Sequence, residues 1–139
     1  MTKTTTGRCL CGDLTYEFTG DPLWVAYCHC ESCRRQTSSA VATFVGLDAK
    51  RFRYTHGKPK GYVSSPGVTR SFCARCGSPM SFEGAKWPGE IHVYVGTLSD
   101  PAAFVPTGHV HVAERLPWFE IDDALPRHPG GGASSVARN

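Results

Sequence analysis

The sequence has no long hydrophobic run: no apolar stretch approaches the ~20 residues that an α-helix needs to cross a bilayer. Its first residues, 1–7, are rich in threonine and lack the apolar stretch of a secretory signal. We therefore expect a soluble protein of the reducing cytoplasm, with no membrane partner. At 139 residues the chain can build one domain with its own core, and it is too short for two.

A strong charge imbalance is also absent. The chain has 15 Lys and Arg against 12 Asp and Glu, a formal net charge of +3. The basic residues are dispersed, with no dense stripe and no aromatic residues between them, which argues against a nucleic-acid partner.

Long helical periods are missing because 15 Gly and 10 Pro interrupt the chain. Short alternating segments take their place. In one of them, Leu14, Tyr16 and Phe18 share a face, which is typical of a half-buried strand. Four further segments alternate in the same way, at 41–45, 51–54, 80–82 and 91–95. Short helical turns are predicted at 30–37 and 101–104.

These patterns predict a mainly β fold with antiparallel strands and few short helical turns. We expect a single domain over residues 1–126. The remaining residues, 127–139, are Gly-rich and bury too little apolar surface to offset the entropy of ordering, which predicts a flexible C-terminal tail.

What the sequence does contain is seven cysteines in three tight clusters. These are Cys9-Leu-Cys11, Cys28-His-Cys30-Glu-Ser-Cys33 and Cys73-Ala-Arg-Cys76. In a reducing compartment, closely spaced cysteines more often bind metals or act in catalysis than form disulfides. An odd number of cysteines also suits a disulfide framework poorly. The spacing therefore indicates metal ligation.

Two of the clusters can together close a four-cysteine zinc site. The two-residue gap between Cys73 and Cys76 aims both sulfurs at one point, and Gly77 permits the following turn. Cys9 and Cys11 are the natural partners, so the metal would join two distant segments and have a structural role. The alternative is a pair of buried apolar cysteines and a redox pair, but no amphipathic helix follows Cys73 as thioredoxin-type pairs require.

The third cluster offers three sulfurs, Cys28, Cys30 and Cys33, and leaves a fourth position open. Three protein ligands and one exchangeable ligand are typical of a catalytic zinc. Three thiolates make a soft site that suits an exogenous thiol, which could then attack a carbonyl carbon. The alternative is a closed, inert site with a histidine as fourth ligand, for which the candidates are His29, His92, His109 and His111.

Several motifs in order make the chain resemble the glutathione-dependent formaldehyde-activating proteins, whose domain is shared with the centromere-protein-V group. They are GRCLCGDLTY at 7–16, CHCESCRR at 28–35, FCARCGSP at 72–79, GTLSDP at 96–101 and PWFEIDDALP at 117–126. Together they span nearly all of the chain before residue 127.

The resemblance implies a β-tent fold of small antiparallel sheets, stabilised by zinc. It implies a structural zinc on the first and last clusters and a second zinc at the reactive site on Cys28, Cys30 and Cys33. It also implies the addition of a thiol such as glutathione to a small aldehyde such as formaldehyde. The product is S-hydroxymethylglutathione, and the reverse reaction is a carbon-sulfur lyase reaction.

Other residues are weaker candidates. Arg34 and Arg35 could hold the carboxylates of a glutathione-like substrate, or could form a solvated basic turn. Glu31 could move a proton, although a lone surface carboxylate is more common. Trp118 and Phe119 are expected in the core or in a pocket wall.

Two rival functions remain besides the enzyme. One is a non-catalytic, zinc-stabilised binding or scaffold module in which both sites are saturated. The other is a thiol redox protein, which would need a reversible disulfide. The sequence leaves the oligomeric state open.

Overall fold

Strands dominate residues 2–131, the part of the chain that the computed structural model describes. The strands there are β1 (Thr4–Arg8), β2 (Thr15–Thr19), β3 (Trp24–Cys28), β4 (Ala42–Asp48), β5 (Phe52–His56), β6 (Lys60–Ser65), β7 (Val68–Phe72), β8 (Pro79–Gly84), β9 (Glu90–Tyr94) and β10 (His109–Val110). One α-helix, α1, covers Glu31–Thr37. Short 3₁₀ turns cover Ala49–Arg51, Val95–Thr97, Pro101–Ala103 and Val112–Glu114. The prediction of a mainly β fold is confirmed.

The strands form two sheets. The smaller sheet has the order β1-β2-β5, and the larger has the order β10-β3-β4-β9-β8-β7-β6. Neighbouring strands are antiparallel, except that β10 runs parallel to β3. The two-residue β10 is far from β3 in sequence, and a parallel pair needs such a long connection because a tight hairpin cannot join it. This pair departs from the antiparallel expectation.

Predicted elements agree with the structure where the apolar pattern is strong. Leu14, Tyr16 and Phe18 are only 1–3% exposed and share the buried face that begins just before β2. The predicted helical turns correspond to α1 and to the 3₁₀ turn Pro101–Ala103. Five strands have no counterpart among the predicted segments: β1, β3, β6, β7 and β10. The sequences of β1 and β6 are polar, and β6 is exposed along its whole length.

The central strands of the larger sheet are buried on both faces, because successive side chains point to opposite faces and each face has its own core. The first core, toward the smaller sheet, includes Cys9, Tyr16, Phe18, Val25, Val45, Cys73, Met80 and Val93. The second core consists of Trp24, Ala26, Cys28, Cys33, Ala42, Phe44 and Tyr94. Cys9 and Cys73, from the first and last clusters, therefore share one core, whereas Cys28 and Cys33 of the middle cluster lie in the other.

Hydrogen bonds continue into the beginning of the predicted C-terminal tail. The backbone N–H of His128 donates to the carbonyl of His109 at 2.9 Å, and the N–H of His111 donates to the carbonyl of Gly130 at 2.8 Å. Bonded structure therefore extends beyond residue 126, and the domain boundary there stays a prediction. The remainder of the predicted tail, 132–139, lies outside the described residues. Within 2–131, no helix is both long and apolar enough to span a bilayer.

Candidate metal centres

The first candidate centre brings together the sulfurs of Cys9, Cys11, Cys73 and Cys76, all within 4.8 Å of one another. The Sγ atoms of Cys9 and Cys11 are 3.6 Å apart, and those of Cys11 and Cys73 are 3.8 Å apart. Sulfurs placed about 2.3 Å from a tetrahedral zinc ion are separated by about 3.8 Å. Both the donor set and its spacing therefore suit Zn²⁺.

Each half of this centre ends in a turn that closes on a glycine. Gly12 and Gly77 each follow the second cysteine of a pair with positive φ, 82° and 78°. Their N–H groups donate to the carbonyls of Cys9 and Cys73 at 3.2 and 2.8 Å. A side chain would be strained at this φ, so glycine lets each chain turn immediately after its pair of cysteines. This explains why the sequence follows each pair with glycine.

Burial separates the four cysteines of this centre. Cys9 and Cys73 are 1% and 2% exposed, whereas Cys11 lies at the surface. Backbone N–H groups point at the buried sulfurs: that of Leu14 donates to Cys9 Sγ at 3.3 Å, and that of Cys76 donates to Cys73 Sγ at 3.5 Å. Such donors stabilise thiolates. The exposure of Cys11 is inconsistent with the alternative of two buried apolar cysteines.

The second candidate centre consists of Cys28, Cys30 and Cys33, whose sulfurs also lie within 4.8 Å of one another. The Sγ atoms of Cys28 and Cys33 are 3.7 Å apart, again the spacing of a tetrahedral zinc site. Over residues 2–131, no histidine, carboxylate or further cysteine joins this group as a fourth donor. The arrangement therefore offers three protein ligands.

Local structure explains how three sulfurs converge within six residues. Cys28 ends β3, Cys30 is the N-cap of α1, and Cys33 lies in the first helical turn. The N–H of Cys33 donates to Cys30 Sγ at 3.3 Å. Hydrogen bonds from Cys28 and Cys33 lower the pKa of Cys30, while the bond with Cys30 raises the pKa of Cys28. A bound cation would stabilise the remaining thiolates.

Cys28, Cys30 and Cys33 all line a cavity of about 250 Å³. Its wall includes the aromatic residues Trp24, Phe44, Phe82 and Trp87. A larger cavity of about 690 Å³ lies elsewhere and includes one cysteine, Cys9. We consider the smaller cavity the reactive one, because it meets three metal-ligating side chains with an open position.

A protein-family model described as glutathione-dependent formaldehyde-activating enzyme matches residues 4–114, a span that contains all seven cysteines. The chain belongs to this family. The resemblance drawn from its motifs is thereby confirmed. Among curated proteins, no significant sequence match was found.

The fold of this formaldehyde-activating family member is similar to that of a solved structure. A crystal structure of a Rhodobacter sphaeroides protein is 20% identical in sequence, with a TM-score of 0.58. The match covers 88% of this chain and 98% of that chain. At this level of identity, the similarity shows a shared fold.

In this family member, a hydrogen-bonded row of three polar side chains adjoins the second centre. Two of them, His29 and His109, are buried. His29 Nε2 lies 2.9 Å from His109 Nδ1, and His109 Nε2 lies 3.0 Å from Asp123 Oδ2. Burial, with His109 nearby, lowers the pKa of His29 to about 4, so its ring is neutral near pH 7. A neutral His109 ring that donates from Nε2 to Asp123 accepts from His29 Nε2 at Nδ1. These hydrogen bonds anchor the segment between Cys28 and Cys30.

Arg70 is the residue of this centre that sequence reasoning missed. It is 5% exposed, and its Nη1 donates to Cys33 Sγ at 3.5 Å. Its guanidinium carbon lies 5.1 Å from the centroid of the Phe82 ring, a cation-π contact. The sequence offers one signal for it: Arg70 shares a strand face with the apolar residues Val68 and Phe72, where a charged side chain is unexpected. Arg70 therefore places positive charge beside the sulfur of Cys33.

Substituting Arg70 with glutamine is expected to weaken zinc binding at the second centre by roughly 10- to 100-fold, because removal of an outer-shell partner has effects of this size. Competition with a chromophoric chelator measures this affinity, and the first centre provides an internal reference. Arg53, which pairs with Glu17 at the surface, gives the control substitution Arg53→Gln. Unchanged zinc affinity in Arg70→Gln would contradict the assigned role.

The weaker candidates from the sequence, Glu31, Arg34, Arg35, Trp118 and Phe119, do not line the reactive cavity. The Nε of Arg34 donates to the carbonyl of His29 at 3.2 Å, and Arg35 pairs with Glu31 at 2.7 Å. Neither arginine lines the cavity, and their predicted contact with substrate carboxylates stays a prediction. Trp118 is 74% exposed, so its expected burial in the core or pocket wall is wrong. Phe119 lies near His29, with ring centroids 6.4 Å apart.

Proposed function

We propose that this protein is a zinc-dependent enzyme of the cytoplasm that adds a thiol such as glutathione to a small aldehyde such as formaldehyde. In the reverse direction it would act as a carbon-sulfur lyase. The observation that supports the proposal best is the cavity of about 250 Å³ lined by Cys28, Cys30 and Cys33. Small molecules that enter it meet three sulfur donors with an open fourth position.

The proposal assigns different roles to the two centres. Cys9, Cys11, Cys73 and Cys76 would hold a structural zinc closed by four ligands. Cys28, Cys30 and Cys33 would hold the second zinc. Zinc bound there would act as a Lewis acid that favours the thiolate form of a substrate thiol near neutral pH.

Protein side chains would support the reaction from the cavity wall. The positive charge of Arg70, hydrogen-bonded to Cys33, offsets the negative charge that three thiolates concentrate at one point. His111 and Glu114 also line the cavity, with His111 Nδ1 3.3 Å from Glu114 Oε2. An imidazole oriented by a carboxylate can hold the proton that the aldehyde oxygen must receive. We assign this pair as the proton donor.

A thiol titration tests the proposal. Zinc-loaded protein is titrated with millimolar glutathione and followed by X-ray absorption at the zinc edge. Occupation of the open position should raise the average sulfur coordination from about 3.5 to about 4 per zinc. S-Methylglutathione, which has no thiol proton to lose, is the matched control and should leave the spectrum unchanged.

The zinc-loaded protein should also accelerate hemithioacetal formation from glutathione and formaldehyde. NMR exchange spectroscopy measures this rate. An unchanged zinc spectrum at millimolar glutathione would eliminate glutathione as the substrate. Two zinc sites saturated by protein ligands, with no acceleration, would instead support the scaffold module.

A further inference from the structure

The wall of the reactive cavity is aromatic and preformed. Trp24 and Phe44 pack edge-on against His92, with ring centroids 4.5 and 6.3 Å away. Phe82 stacks on the same imidazole at 5.4 Å, and Trp87 meets it edge-on at 5.5 Å. A packed cluster of this kind keeps its shape without a ligand. It gives the cavity an apolar wall beside the sulfurs of the second centre.

The polar groups around this wall already have partners. The Trp24 indole Nε1 donates to Glu90 at 3.1 Å, and His92 Nε2 lies 3.0 Å from the same carboxylate oxygen. Arg70 donates to Ser64 as well as to Cys33. The wall therefore presents mainly ring surface. The carboxylates and ammonium group of glutathione would be poorly solvated there, because buried charge needs a partner.

We infer that the aromatic part of the cavity binds the apolar substituent of the aldehyde, and that the substrate is an aldehyde with an arm about the size of a phenyl ring. This rests on the proposed function. A cavity of ~150 Å³ is enough for benzene, so about 250 Å³ accommodates a ring and a carbonyl arm. Formaldehyde has no substituent and would gain nothing from the aromatic wall.

The reaction is the same addition with a larger aldehyde. The thiol loses its proton, its sulfur forms a bond to the carbonyl carbon, and the π electron pair moves to the oxygen. The oxygen then takes a proton, and the product is a hemithioacetal. No oxidant, reductant or further reactant is needed. The ring would lie against Trp87 and Phe82 while the carbonyl carbon faces the sulfurs.

Binding can be tested without catalysis. Benzyl alcohol has the ring and cannot form imines with lysine, and methanol is its small counterpart. The three tryptophan indole N–H signals are followed in ¹H-¹⁵N NMR spectra of the zinc-loaded protein. Benzyl alcohol should shift the signals of Trp24 and Trp87 saturably, whereas the signal of Trp118, which is 74% exposed, should stay in place. Methanol should shift none of them.

A matched pair of variants locates the site. Trp87→Ala should weaken benzyl alcohol binding roughly tenfold, because an aromatic contact contributes about that factor in affinity. Trp118→Ala should bind as the wild type does. The wild-type titration stands even if Trp87→Ala fails to fold. Absence of saturable shifts at Trp24 and Trp87 in the wild type would overturn the inference.

An activity comparison separates this inference from the proposed function. With glutathione present, kcat/KM for phenylacetaldehyde should exceed that for formaldehyde by about tenfold or more. Turnover of formaldehyde without binding of benzyl alcohol would overturn the aromatic substrate class and leave the proposed function intact. Binding of benzyl alcohol without turnover of either aldehyde would overturn the proposed function and support the ligand class of the cavity.

Discussion

Substituting Cys76 with serine is expected to unfold most of the domain. Cys76 completes the four-sulfur group that joins the first pair of cysteines to the middle of the chain, and its partners Cys9 and Cys73 are buried in the first core. A structural zinc site contributes ~10 kcal/mol or more to folding. An average domain is stable by only ~5–15 kcal/mol in total. Loss of the site therefore removes most or all of the stability.

Thermal unfolding followed by circular dichroism, together with zinc content, measures the effect. We expect Cys76→Ser to lose its cooperative transition, or to melt more than about 15 °C below the wild type. A variant that kept the wild-type melting temperature while losing one zinc ion would contradict a structural role for this centre. The matched control is Cys30→Ser, a substitution at a partly exposed cysteine of the second centre.

Substituting Cys30 with serine is expected to leave a folded domain without thiol chemistry. Cys30 is the N-cap of α1, and its sulfur accepts a hydrogen bond from the N–H of Cys33. Serine is among the preferred N-cap residues, so it can replace this hydrogen bond. It supplies no thiolate ligand, however, and the second centre would be left with two sulfurs. This variant should therefore keep its folding stability and lose metal binding at the second centre.

Zinc content should fall from two ions to one per chain, and the melting temperature should change by only a few degrees, since cap exchange alters stability by ~1 kcal/mol or less. Catalysis of hemithioacetal formation should decrease at least about 100-fold, as expected when a group that holds the reacting centre is removed. Equal unfolding of Cys30→Ser and Cys76→Ser would refute the division into a structural and a reactive centre.

The sequence predicted the cysteine clusters well, because ligand spacing is a local property. Two cysteines separated by one or two residues and followed by glycine can close a tight turn, and both glycines have φ near 80°. The helical turn at 30–37 also depends on near neighbours. Pairing of the first cluster with the last could be inferred because a zinc site needs four ligands and two pairs were available.

The reactive cavity could not be predicted, because distant segments form it. Arg70 reaches Cys33 across 37 positions of sequence, and His29 contacts His109 across 80. An alternating pattern reports that one face of a strand is buried, but it does not report which partner covers that face. For the same reason His92, expected on the less buried face of β9, is 4% exposed beneath the aromatic cluster.

The first centre also constrains how the protein is made. The sulfurs of Cys11 and Cys73 meet although 62 positions separate them in sequence. A ribosome that adds ~5–20 residues per second needs about 3 to 12 seconds to cover that distance. Throughout this interval Cys9 and Cys11 lack their two partner ligands, and the first core is incomplete. Oxidation of Cys9 or Cys11 during this interval would prevent one metal ion from binding all four sulfurs.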